Sequence, residues 1–367
     1  MAVFNTKPDR EPFSPQGRFD EDYLKSWLEP LVKEPISRFE IFTLKGDASD
    51  RCYFRVHYFR RSAKNSSIIV MQLKEPVPEK EPDFNRMQKF LHHLDIPVPE
   101  ILHYDAERGL LFLEDGGDTH LEDLARLSPD SIIAWYQKAI ELIVVMQTRV
   151  TKNMQPSCPA YSLKFDVEKL MWEMDFMIKH YIMGFLKREL GQNEESKIRI
   201  ALLGLCKTLA EEKRVFVHRD FHSRNLMIRR ENLMLIDFQD ARMGPCQYDL
   251  VSLLKDSYVV LEEETRNELL SYYLQRMEQE EDRQLPRSPF LKIFDWMSIQ
   301  RNLKAIGTFA FQYMEYKNER YIKCIDPTLQ YIRDTIHARP DLEPLGQALK
   351  QAIPGLNTGT GNGINRS

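Results

Sequence analysis

The sequence predicts an α+β protein: a small antiparallel β-rich N-terminal lobe followed by a larger, mainly helical C-terminal lobe. Three observations carry this. Up to residue 113, short apolar runs alternate with turn-rich connections. After Asp115-Gly116-Gly117 the apolar residues recur at helical spacing over long stretches. Finally, 367 residues exceed the ~250–300 that one hydrophobic core sustains.

In chain order, Asp20-Glu21-Asp22 opens a helix, because acids are favoured at a helix N-terminus. Tyr23, Leu24, Trp27, Leu28 and Leu31 form its apolar stripe, and Pro30 and Pro35 are expected to close it. Strands are expected at 39–44, 52–59 and 67–73, the last through the run Ile68 to Met71. Gly46 to Asp50 is a turn-rich connection that makes the first two antiparallel. Phe84, Met87, Phe90, Leu91 and Leu94 mark one face of a helix that Pro97 and Pro99 end. Short strands at 101–104 and 110–113 complete the sheet. Beyond the glycine pair, helices are expected at 132–150, 167–190, 196–212, 248–260, 266–279 and 289–316, with strands only at 215–217, 226–228 and 233–236. The expected organisation is an N-terminal lobe at 1–116, a helical lobe at 117–352 and a disordered tail at 353–367, rich in Gly, Asn and Thr.

Composition removes several function classes. Lys and Arg number 51 against 55 Asp and Glu, a net charge of −4 that does not point to nucleic acid. The five cysteines are scattered without a C-x-x-C pair, so neither a disulfide framework nor a structural zinc site is indicated, and reduced buried thiols are expected. Met1 to Pro12 is charged and broken by prolines, unlike a signal peptide, and no run approaches the ~18 apolar residues of a membrane span. The expected setting is the cytoplasm, away from membranes.

The chemistry-bearing stretch is His218-Arg219-Asp220-Phe221-His222-Ser223-Arg224-Asn225, followed by Ile236-Asp237-Phe238. It places an Asp, an Asn five residues later and a second Asp twelve beyond that, each flanked by short apolar strands. Phosphoryl transfer needs such a set: a carboxylate to orient the acceptor hydroxyl and receive its proton, and hard oxygen ligands for the magnesium that bridges nucleotide phosphates. In this scheme Asp220 is the base, and Asn225 and Asp237 hold the metal. The competing explanation is that these are loop residues bonding their own backbone. Against it, polar groups set between apolar strands cost desolvation unless they have partners or a cation.

His218 to Asn225 and Ile236 to Phe238, with Gly244-Pro245-x-x-Tyr248-Asp249-Leu250 behind them, resemble the aminoglycoside phosphotransferase and choline kinase-like family, relatives of the protein kinases. A narrower likeness rests on Ser49-Asp50-Arg51-x-Tyr53-Phe54-Arg55, Ile236 to Ala241, Tyr248 to Leu254 with Asp256, and Gln300-Arg301-x-Leu303-Lys304-x-x-Gly307-x-Phe309. It is to the branch that phosphorylates the anomeric position of N-acetylmuramate and N-acetylglucosamine in bacterial cell-wall recycling. The resemblance implies a protein-kinase-like bilobal fold, ATP and Mg2+ as cofactors, and a small sugar as substrate.

Carried over to these positions, the resemblance casts Asp220 as catalytic base, Asn225 and Asp237 as magnesium ligands, and Asp249 as a brace of the catalytic loop. An ordinary helix-start carboxylate is the alternative for Asp249. His218 and His222 are loop-bracing or phosphate-contacting candidates, or packed loop histidines. Gln239, Asp240, Gln300 and Arg301 are candidates for the sugar, with Arg301 matched to a lactyl carboxylate; solvated loop residues and a helix-surface arginine are the competing readings. Nucleotide contacts are expected from the loop around Gly46 and Ser49 and from backbone groups of Leu113, Glu114 and Asp115 at the adenine edge. The side chains of Glu114 and Asp115 are expected to face solvent.

Two departures stand out. The phosphate loop has one glycine, Gly46, where the family relatives carry several. The third strand ends in Met71-Gln72 where a phosphate-contacting lysine is implied; Lys74, on the same face as Gln72, is the candidate replacement. Glu81 and Asp83 are the candidates for that cation's acidic partner. Two rival functions remain at this stage. An aminoglycoside or choline-type alcohol kinase is disfavoured because acids at 262–264 are interleaved with Arg266, Arg276 and Arg283. A non-catalytic pseudokinase module has no physical need for Asp220, Asn225 and Asp237 together.

Overall fold

The computed structural model describes residues 18–44, 51–61, 66–127 and 131–357. Gly46, Ser49 and the tail after residue 357 lie outside the described residues. The chain forms two compact units. One comprises the described residues up to Leu124 together with Arg224–Gln239; the other comprises the described residues of 125–223 and of 240–367.

In the first unit, α1 (Glu21–Val32) starts where the Asp20 carboxylate accepts from the Tyr23 N–H at 2.8 Å. It runs through Pro30 and stops two residues later, at left-handed Lys33 (φ 55°). Pro30 falls in the last turn, where one lost hydrogen bond is tolerated because Leu24 and Leu28 are fully buried. A five-stranded antiparallel sheet follows in the order β1-β2-β3-β5-β4. Its strands are β1 (Ile36–Leu44), β2 (Cys52–Arg60), β3 (Ser66–Gln72), β4 (Ile101–Asp105) and β5 (Leu110–Glu114), with α2 (Asp83–His93) between β3 and β4. The register sets Cys52 opposite Gln72, and Gln72 opposite Leu110. The continuous apolar run of β3 is that of a central strand buried on both faces. Phe54, Val56, Val70 and Phe112 pack on Leu24 and Leu28 as one core cluster.

After α3 (Leu121–Leu127), the second unit begins with α4 (Ile132–Val145), which continues as a π-helical turn through Val150. Next, α5 (Val167–Met177) is N-capped by Asp166, which accepts from the Lys169 N–H at 2.9 Å, and continues in π form to Phe185. Then come α6 (Gln192–Ala210) and β6 (Arg214–Val217). The hairpin β7 (Leu226–Arg229) and β8 (Asn232–Leu235) belongs to the first unit, where Ile228 N–H donates to Thr119 at 2.8 Å and Leu235 N–H to Pro97 at 2.7 Å. A Cβ on Gly116 would meet the Met227 sulfur at 2.8 Å, so a larger residue there would push the methionine side chains of the hairpin aside.

Back in the second unit, β9 (Arg242–Pro245) pairs antiparallel with β6, Val217 opposite Arg242. Helices α7 (Gln247–Leu254), α8 (Glu263–Glu281), α9 (Arg287–Tyr316), α10 (Ile322–Ala338) and α11 (Glu343–Ala352) complete it. Gly307 lets α9 lie directly on α5: a Cβ there would stand 2.7 Å from the Met177 Cα. Where the sequence suggests a helix to residue 260, α7 ends at Leu254. Asp256 breaks it by turning its carboxylate to backbone N–H groups of Ser223 and Tyr258, each at 2.9 Å.

Cys158, Cys206 and Cys324 are buried free thiols; Cys246 is half-buried and Cys52 exposed. Among the described residues, no helix is long and apolar enough to cross a membrane.

Candidate active site

In the second unit, β6 leads the chain into His218, and the first two residues of the loop are captured by one carboxylate. The backbone N–H of His218 donates to Asp249 at 2.6 Å and that of Arg219 at 3.0 Å. Asp249 is fully buried in α7; burial pushes its pKa up to about 7, against the pull of those two donors. The capture holds Arg219 at φ 83°, a left-handed conformation that a long side chain adopts only when its surroundings impose it.

Asp220 follows, and Lys304 of α9 donates to its carboxylate at 2.6 Å. Burial works to raise the Asp220 pKa, but Lys304 first, then Arg219 and His222, hold it well below the usual carboxylate range. Burial also pulls the Lys304 ammonium down while Asp220 opposes it. At this distance we read the pair as a charge-assisted hydrogen bond between ionised partners. His222 is buried, with its ring edge-on to Tyr258 at 5.2 Å between centroids, and the His218 ring stands against Phe221.

Around this loop lies a polar cluster. The Arg219 guanidinium reaches Glu173 of α5 at 3.7 Å and Asp240 at 3.4 Å, and the Gln300 amide donates to Glu173 at 3.0 Å. Glu173 and Gln300 are both buried, whereas Asp240 is exposed on its other side. Two of the four sugar-contact candidates, Asp240 and Gln300, are thus linked to the base through Arg219 and Glu173. The third, Arg301, is no helix-surface arginine: it is buried, and its Nε donates to Ser252 Oγ at 3.0 Å. Glu173 was invisible in the sequence, since a lone Glu in an apolar helical stripe carries no signal. Lys304 falls within a segment that shares the family likeness, but only its contact with Asp220 gives it a role.

The remaining candidate, Gln239, sits in the first unit with Asn225 and Asp237. The Asn225 amide approaches Asp237 Oδ2 at 3.4 Å, and the Gln239 amide donates to Oδ1 at 2.7 Å. Asp237 has φ 65°, so this part of the site, like Arg219, sits in the left-handed region. Asn225 is fully buried, and its carbonyl accepts from the Ile236 N–H at 3.1 Å, tying the two ends of the β7–β8 hairpin. Arg224 anchors the stretch by gripping both carboxylate oxygens of Glu122. This donor set, one carboxylate and one amide oxygen source side by side, has the hard-oxygen chemistry that suits magnesium. Among the described residues, no group of three or more His, Cys, Asp and Glu could hold a metal.

The nucleotide-side expectations fare unevenly. Leu113 is buried at the end of β5. Glu114 accepts from the Glu100 N–H at 3.3 Å and pairs with Arg229. Asp115 does not face solvent: its carboxylate is buried against Arg55 at 2.7 Å and also accepts from the Gly117 N–H. The partner, Arg55, comes from another strand. Lys74 is exposed, two residues past Gln72 at the buried end of β3, and its carbonyl accepts from Arg18 at 2.8 Å. Glu81 and Asp83 pair at the surface with Lys89 and Arg86, both at 2.6 Å. The polar side chains that α2 buries are instead Asn85 and Gln88.

A model of the phosphotransferase enzyme family matches residues 43–285. The chain is 30% identical to an N-acetylmuramate/N-acetylglucosamine kinase of Pseudomonas aeruginosa over 92% of this chain and 97% of that protein. It is 28% identical to the kinase of the same name from Neisseria meningitidis serogroup B, over 90% and 95%. In fold it is similar to the ADP-bound aminoglycoside phosphotransferase APH(2'')-Ib, with a TM-score of 0.54 and 17% identity over 85% of this chain and 98% of that one.

Proposed function

The chain belongs to the phosphotransferase enzyme family, and from that premise we propose that it is an ATP- and magnesium-dependent kinase that phosphorylates the anomeric hydroxyl of N-acetylmuramate and N-acetylglucosamine. The observation that carries this reading is Asp220 itself, a carboxylate kept ionised by Lys304 on a loop fixed by Asp249. A carboxyl held this low is a weak base, suited to a hydroxyl that gives up its proton readily. An anomeric hydroxyl is more acidic than an ordinary alcohol, so Asp220 can orient it and receive its proton as the bond to phosphorus forms.

Asn225 and Asp237 would hold the magnesium, which neutralises charge on the nucleotide phosphates when bound. The assignment gives the first unit the nucleotide and the second unit the acceptor. Lys169, half-buried on α5 with its pKa pushed down to about 8 chiefly by burial, lies within the field of Arg219, Arg242 and Lys304. These cations are interleaved with Asp220, Glu173 and Asp240, a balance of charge that suits a neutral or singly charged sugar better than a polycationic aminoglycoside. Arg219, Glu173 and Gln300 are positioned to discriminate among polar substituents, since a site with buried polar groups rejects analogues that leave them unpaired.

The test is turnover of both sugars, with the phosphate position assigned by NMR. Phosphate at C1 and inert methyl glycosides are expected; a product phosphorylated at C6, or brisk turnover of a methyl glycoside, would rule out anomeric chemistry.

A further inference from the structure

Nucleotide phosphates carry several negative charges, and beside Asp237 they need a cation that the end of β3 does not provide. Met71 and Gln72 are neutral and buried. Arg55, the buried arginine of β2, is already engaged by Asp115, Asp118 and the Gly117 carbonyl. Lys74 lies beyond the strand, exposed.

Arg51 is placed differently. It immediately precedes Cys52, which pairs with Gln72, so it enters the sheet across from the very end of β3. Its guanidinium carbon stands 5.9 Å from the centroid of Phe84 on α2, and the Phe84 ring is 4.9 Å from Phe238, the neighbour of Asp237. Tyr53, the second residue of β2, makes the second link. Its hydroxyl is within hydrogen-bonding reach of Arg51 and close enough to Asp237 to feel its charge. The Phe84–Phe238 ring contacts and Tyr53 thus both place Arg51 on the side of the unit that carries the Asp237 segment. Arg51 also lines a cavity of about 390 Å³ with Leu73, Lys74 and Lys80, within the size range of small-ligand sites. Of the three acids that line it, Glu81 and Asp83 are paired with Lys89 and Arg86, and Glu75 stands against the cations Arg51, Lys74 and Lys80.

We propose that Arg51 grips the nucleotide phosphates, serving from the head of β2 in place of the lysine that β3 lacks. The assignment rests on the kinase reading above. It also explains how β3 can end in a buried neutral glutamine and α2 can turn Asn85 and Gln88 inward, with no lysine–glutamate pair between them. An arginine fork can hold two phosphate oxygens at once, which a lysine cannot.

The test is calorimetric binding of adenosine, ADP and ATP, the nucleotides with Mg2+, to the full chain and its variants, with thermal unfolding to check folding. Arg51→Ala is expected to weaken ADP and ATP by about 10–100-fold, the scale of a lost charge-assisted hydrogen bond, while adenosine binding stays within about twofold. Arg51→Gln, which keeps a donor for Tyr53, should show the same phosphate-dependent loss even if the alanine variant folds poorly. Equal loss for all three ligands would mean that Arg51 only supports the fold, and unchanged ADP affinity would likewise overturn the proposal. A loss on Lys74→Ala in place of the arginine variants would hand the role to the strand-end lysine. If the wild-type chain binds neither ADP nor ATP, the kinase reading fails, and this assignment with it.

Discussion

The base-bearing loop of the second unit and the metal-type pair of the first are secured by opposite means. Around Asp220, full charges do the holding: Asp249 and Asp256 capture backbone N–H groups, Lys304 meets the base, and Arg219 reaches Glu173 and Asp240. Around Asp237, the hydrogen-bond donors seen on its carboxylate are neutral amides, Asn225 and Gln239. The difference follows from what each group must do. A base needs a fixed protonation state and direction before the acceptor arrives, and neighbouring charges set both. A carboxylate that is to take a divalent cation is best oriented by donors that add no charge, as the Asn225 and Gln239 amides do for Asp237. Both residues adjoin or occupy left-handed backbone, Arg219 in one unit and Asp237 in the other, so each arrangement stores local strain at the reacting group.

The sharpest way to break this contrast is Asp220→Asn. It should lower kcat by about 10²–10⁴-fold while leaving magnesium–nucleotide affinity close to wild type, because the two roles belong to different residues. Steady-state kinetics beside calorimetric ADP binding would read this, and a variant retaining more than about a tenth of wild-type kcat would remove Asp220 from the chemistry.

Asp237→Ala, the reciprocal cut, should weaken magnesium–nucleotide binding by about 10–100-fold and raise the magnesium needed for half-maximal rate, with Asn225→Ala doing the same more mildly. Activity lost at unchanged magnesium dependence would make Asp237 a structural residue.

The mildest and most diagnostic cut is Lys304→Met. Asp220 is faced by Lys304 from α9 and by Arg219 and His222 from its own loop, and Arg219 in turn by Glu173, Tyr248 and Asp240. These cations depress the carboxyl, so wild type keeps its base ionised far into the acid range. Removing the nearest one raises that pKa, and the acid limb of the kcat/KM profile should move to higher pH by about one unit or more. A limb that stays put would show that Lys304 only fills space.

How much of this could be read beforehand depended on distance along the chain. His218 to Asn225 and Ile236 to Phe238 lie within one short stretch, and the apolar strands flanking them were legible from local pattern alone. The charges that tune the loop were not legible in that way: Glu173 and Lys304 come from two separate helices, and nothing in a helical stripe tells which polar residue faces a loop elsewhere, while Asp249 was indicated only through the family resemblance. Asp115 misled for the same reason, since its buried partner Arg55 sits on β2, 60 residues earlier. Strand β9 escaped notice because Arg242-Met243-Gly244-Pro245 lacks both apolar alternation and β-formers, yet Gly244 is needed where a Cβ would stand 2.6 Å from the Phe165 ring. Helix α10 was hidden in part by the Pro327 it contains.

One feature of the chain's route bears on how the protein is made. Because the β7–β8 hairpin packs with the N-terminal sheet, the first unit is not complete when residue 124 leaves the ribosome; it waits for residue 239. At a synthesis rate of ~5–20 residues per second, the sheet spends on the order of 6–23 s without the segment that carries Asn225 and Asp237. During that interval Gly116 and the backbone of Pro97 and Thr119 have no hairpin to receive. A gene fragment ending near residue 124 therefore yields the five-stranded sheet without the hairpin that completes its unit, instead of a free-standing nucleotide-binding module.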